Sequence, residues 1–167
     1  MRLIALFLLF ITQQSFAQKP DWISINQLID DSEARNETTL MISAINRCAA
    51  LHLNISNAIG GDNPSLRDMY DASALQLVDL SINASLLLRE KRTGNTSTVD
   101  FEEIEQDTLV ILQTMTNNYS NWMSYNFINT GENVGNDSDL IDDINACTRL
   151  PDMINESGSD SFLFNIL

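Results

Sequence analysis

Cys48 and His52 stand one helical turn apart, and they are the chain's only histidine and one of its two cysteines. At i and i+4 both side chains reach toward the same point. A thiolate and an imidazole make half of a zinc site, which takes three or four such ligands. The remaining ligands would have to come from Cys147, the second cysteine, or from carboxylates. The two cysteines also have a simpler use: in an exported protein they pair. A Cys48–Cys147 bridge closes a loop of about 100 residues and stabilises the fold by roughly 4 to 5 kcal/mol through restriction of the unfolded chain. Pairing removes both thiolates from metal chemistry and leaves His52 as a half-buried histidine beside a cystine.

Hard oxygen ligands gather at Asp137, Asp139, Asp142 and Asp143. The cluster lacks the alternating ligands, central glycine and terminal glutamate of a calcium loop, and acidic residues at a helix start already complement the helix dipole. Asp137 and Asp139, with His52, are therefore the residual metal candidates. Haem is an alternative use of His52. The covalent attachment motif is absent, since Thr148, Arg149 and Leu150 follow Cys147. A non-covalent site would pair His52 with one of Met41, Met69, Met115, Met123 or Met153. Catalytic signatures are missing: there is no nucleophile elbow, no HExxH and no phosphate-binding glycine loop. A cofactor-free hydrolase built on two carboxylates is a further alternative. The main expectation is a non-enzymatic protein with no cofactor.

One stretch favours recognition over chemistry. Tyr119, Trp122, Tyr125 and Phe127 fall within nine residues and are interleaved with Asn117, Asn118, Asn121 and Asn126. Spacings of three, three and two spread the rings over more than one side of a helix, so some of them point away from a core. Aromatic rings with amide neighbours suit a protein or sugar partner. This is the candidate interaction surface, set against packing around Trp22.

These residues must be held by a small exported scaffold. Arg2, the apolar run 3–11 and Ser15-Phe16-Ala17 form a signal peptide, too short for a membrane span, with cleavage expected before Gln18. Residues 18–156 make one helical domain and 157–167 a flexible or docked tail. The formal charge is −14, and after loss of Arg2 it is −15, with 8 basic against 23 acidic residues. Such a surface repels nucleic acid and anionic lipid. The expected location is periplasmic or extracellular, with another exported or cell-envelope protein as the partner.

Periodicity and capping supply the elements. Ser24 opens a capping box, and a break near Asn36 separates this short segment from a helix whose Met41, Ile45, Cys48, His52, Ile55 and Ile59 share one face. Gly60-Gly61 ends it. Asn63-Pro64 starts a second helix that runs to about Lys91, and Asp100 starts a third that runs to about Ile128. A fourth begins at Ser138 or Asp139 and is expected to end or kink at Pro151. No repeat and no strand is evident. The expected fold is all-α: an antiparallel up-down-up-down four-helix bundle with a short N-terminal helical segment. In that order the first and fourth helices are neighbours, which brings Cys48 to Cys147.

Overall fold

The computed structural model describes residues 18–94 and 100–157, the last six of these by backbone alone. The expected signal peptide, most of the loop after Thr93 and the expected tail beyond 157 lie outside the described residues. Five helices follow one another: α1 (Ile25–Arg35), α2 (Thr38–Ile59), α3 (Pro64–Thr93), α4 (Phe101–Thr130) and α5 (Ser138–Ser157). Among the described residues there is no strand, and no helix is long and apolar enough to cross a membrane.

The helix starts follow from local chemistry. Ser24 accepts from Gln27 N–H, Asn63 accepts from Leu66 N–H with Pro64 in the first turn, and Asp100 accepts from the N–H groups of Glu102 and Glu103. Each cap satisfies backbone donors that have no partner inside the helix. The break before α2 falls at Asn36, whose φ of 52° is a left-handed conformation that asparagine tolerates. Gly60 ends α2 at φ 55° and ψ −127°, a region open essentially to glycine alone. Of the two outcomes expected at Pro151, an end is ruled out: α5 continues through it to Ser157. A proline inside a helix removes one backbone donor.

A departure concerns α2. A single apolar face was expected, but every residue from Ala44 to His52 is buried. The helix is enclosed because it touches each of the other four. Ala44, Ala49 and Ala50 are fully buried and small enough to let neighbouring helices come close on several sides. The four-residue turn after α2 makes α2 and α3 an antiparallel hairpin, with His52 against Ser73 and Tyr70 midway along it. Helix α4 packs on both α2 and α3, while α1 and α5 pack on each other and on α2. The apolar residues of α3 are divided: Leu77, Leu80, Ile82 and Ala84 are buried, whereas Met69 and Leu75 are exposed.

Cys48 and Cys147 form a disulfide between α2 and α5, with Cα atoms 5.1 Å apart and 99 positions between them in sequence. Both cysteines are fully buried. Replacing both with alanine is expected to lower the unfolding free energy by about 4 kcal/mol, most of it through the unfolded chain. Urea unfolding of the variant beside the wild type measures this, and an unchanged midpoint would show that packing alone holds α5 on α2.

Candidate functional site

The polar centre of the molecule is built on Arg47, one residue before the α2 cysteine. Its guanidinium and the Asp143 carboxylate of α5 lie 2.5 Å apart, with only 5% and 1% of their side chains exposed. The chain surrounds this pair with partners. Tyr119 of α4 donates its hydroxyl to Asp143 at 2.7 Å and accepts from Arg47 Nε and Nη2 at 3.3 Å. Arg47 Nη1 donates to the Ile23 carbonyl, and Asp143 Oδ1 accepts the first backbone N–H of α1, from Ile25. Trp22 covers the guanidinium with its ring centroid 4.5 Å away. Burial pushes the Tyr119 phenol well above its ordinary pKa, so it acts here as a neutral donor.

From Tyr119 the network runs outward. Trp22 meets Tyr119 edge-on at 5.2 Å, and Trp122 stacks on it at 5.9 Å. The Trp122 indole N–H donates to Asp137 at 2.7 Å, and Lys19 lies over the same indole ring. Lys19 also pairs with Asp137 and Asp139. Asp137 in turn accepts from the backbone N–H groups of Asp139 and Leu140 and so caps α5. Burial pushes the Asp137 carboxyl up, but the Trp122 N–H, the Leu140 N–H and Lys19 outweigh it and hold the group below the ordinary carboxylate range.

The expected interaction surface is therefore divided. Tyr119 and Trp122 are 0% and 3% exposed and belong to the core, because Arg47 and Asp137 need their polar atoms. Tyr125 and Phe127 remain outside at 41% and 56%, joined by Ile128 at 74%. Asn126, between them, is buried and donates to the Val134 carbonyl, which fixes the following loop. The last turns of α4 are thus anchored on one side and bare on the other.

The three residual metal candidates are separated. Asp137 and Asp139 share the Lys19 ammonium. His52 is buried between α2 and α3, its Nδ1 hydrogen-bonded to Ser73 Oγ at 3.0 Å and its ring edge-on to Tyr70. Burial lowers its pKa to about 4. No group of three or more His, Cys, Asp or Glu side chains placed to hold a metal occurs among the described residues. Asp143, the buried carboxylate, faces a guanidinium and not a second carboxylate.

A second feature is absent from the sequence expectations. A mostly apolar cleft of about 570 Å³ opens between the first half of α2, the last turns of α3 and the first half of α4. Ile42, Leu88, Ile104, Ile111 and Met115 form its walls, with Asn46, Ser43, Ser85 and Thr108 as polar lining. Its volume falls in the range of roughly 300 to 1,000 Å³ usual for small-molecule sites. The sequence did carry a signal for Arg47, a lone cation in an otherwise apolar run, and for Asp143, one turn before Cys147. The cleft has no comparable local signal, since three helices must meet to form it.

No family model, curated protein or solved structure matches the chain.

Two measurements probe this centre. Asp143→Ala leaves the guanidinium buried without its counter-charge and is expected to cost about 3 to 5 kcal/mol in urea unfolding. Replacing Arg47 by Met as well should recover a large part of that loss, whereas additive losses would show that the two groups act independently. For His52, the folded pKa lies below the ordinary 6.5, so the unfolded chain binds the proton first. Its contribution is intact above about pH 6.5 and is lost as pH falls toward 4, by on the order of 3 kcal/mol. His52→Gln should flatten that part of the stability profile, and an unchanged slope would place the titration elsewhere.

Proposed function

We propose that this protein is an exported, non-enzymatic binding module that presents the C-terminal turns of α4 to a second exported or cell-envelope protein. The observation that carries this reading is the group Tyr125, Phe127 and Ile128, exposed together on a helix whose Tyr119, Trp122, Met123 and Asn126 are buried. Rings held on a rigid, internally anchored helix lose little conformational freedom on binding. Tyrosine and other aromatic residues are also the side chains that most often anchor protein interfaces.

The buried disulfide supports an oxidising compartment for this scaffold. The signal peptide expected over residues 1–17 fits the same location. We read α2 to α5 as an up-down-up-down series gathered around α2. With a formal charge of −14, the complementary partner carries a basic rim around an apolar centre. The buried carboxylate and the histidine are both committed to structural contacts, which favours binding over catalysis.

The test is affinity for a partner captured from the exported fraction and then purified. A Tyr125→Ala, Phe127→Ala double variant should fold as the wild type does and bind at least tenfold more weakly. Association should also slow as salt is raised. Equal affinity for the variant and the wild type would reject the surface.

A further inference from the structure

The cleft between α2, α3 and α4 lies some sixteen residues along α4 from the exposed aromatic end, about 24 Å at the helical rise. Three independent observations bear on what fits it. The walls are apolar, and Ile111 stands 44% exposed beside half-buried Met115, Ile42 and Leu88. Contact with an apolar chain would remove this surface from water.

The second observation is Asn46. It is 2% exposed and lines the cleft, yet its Oδ1 has no hydrogen-bond partner among the described residues. Ser81 Oγ is the other buried side-chain atom in that condition, and Ser81 does not line the cleft. An acceptor buried without a donor is destabilising, because it has given up its hydrogen bond to water. The oxygen is itself enclosed, so a ligand N–H or O–H group satisfies it once the amide turns toward the cleft.

The third is charge. Six of the described cations reach an oxygen partner: Lys19, Arg35, Arg47, Arg67 and Arg89 meet carboxylates, and Arg149 meets the Asn26 amide. Lys91 and Arg92 have no such partner among the described residues. Both line a smaller hollow of about 300 Å³ that shares Thr39, Leu88 and Arg92 with the cleft. Glu37 also lines this hollow, with its carboxylate accepting from Thr39 Oγ1, and Asp107 lines the cleft near Arg89. Arg92 at the cleft and Lys91 in the adjoining hollow are thus two cations without an ion pair among the described residues, in a chain of net charge −14.

We propose that the cleft binds a single-chain anionic amphiphile of the N-acyl amino acid class. The acyl chain lies against Ile42, Leu88, Ile104, Ile111 and Met115. The amide N–H donates to Asn46 Oδ1, and the carboxylate meets Arg92 and Lys91. Each part of the ligand answers one of the three observations, and removing a part from the ligand tests it without changing the protein.

Calorimetric titration of the full chain with N-dodecanoylglycine, below its micellar concentration, tests the proposal. One-to-one binding is expected. The methyl ester, which lacks the charge, and N-dodecanoylsarcosine, whose methylated nitrogen has no N–H, should each bind at least fivefold more weakly. Lys91→Glu with Arg92→Glu should weaken the acid tenfold or more and leave the ester unchanged. Ile111→Trp, which fills the cleft from an exposed position, should abolish binding of all three. Absence of one-to-one binding overturns the proposal, as does binding that survives Ile111→Trp. Equal affinity for the acid and the ester overturns the role of the cations, and equal affinity for the glycine and sarcosine conjugates overturns the role of Asn46.

Discussion

A guanidinium in the middle of the most enclosed helix constrains the whole structure. Once Arg47 is inside α2, burial without compensation would cost several kcal/mol. Every element that could supply compensation is drawn toward it: Asp143 from α5, the Tyr119 hydroxyl from α4, the Ile23 carbonyl and the Trp22 ring from the segment leading into α1. The disulfide lies beside this cluster in both helices, since Cys48 follows Arg47 and Cys147 stands one turn beyond Asp143. The crosslink brings α5 to α2, and the ion pair fixes how α5 is rotated and how far it slides. Apolar packing alone specifies such a register poorly, because neighbouring alanine and leucine surfaces are interchangeable, whereas a guanidinium and the one carboxylate oxygen it meets are not.

The same constraint explains where the exposed aromatic residues are. Tyr119 and Trp122 are drawn inward by polar atoms they must satisfy, and Met123 and Asn126 follow on the same face of α4. Tyr125, Phe127 and Ile128 are left on the outside by helical geometry. Core and exposed apolar residues thus share the last turns of one helix, divided by which rings carry hydrogen bonds.

Features encoded by neighbouring residues were legible in the sequence. The caps at Ser24, Asn63 and Asp100, the break at Asn36 and the stop at Gly60 each depend on a few adjacent positions. The disulfide followed from there being only two cysteines. Features that depend on several helices meeting were not legible. The aromatic stretch announced recognition, but its division into buried and exposed rings needed Arg47 and Asp137, which lie far away in sequence for Arg47 and in the next helix cap for Asp137. Asp143 read as one more acidic residue near a helix start, although among the described residues it is the carboxylate that pairs with Arg47. Lys91 and Arg92 stand in the last turn of α3, and only the packed helices reveal the hollow beside them. Pro151 read as an end or a kink because local rules allow either, and α5 continues through it.

The enclosure of α2 has a consequence for how the chain comes into being. An emerging chain presents Arg47 and Cys48 early, but the carboxylate and the thiol that complete them arrive 96 and 99 positions later. Throughout that interval the central helix lacks its counter-charge and its bridging sulfur, so α5 is the element that completes the enclosure of α2.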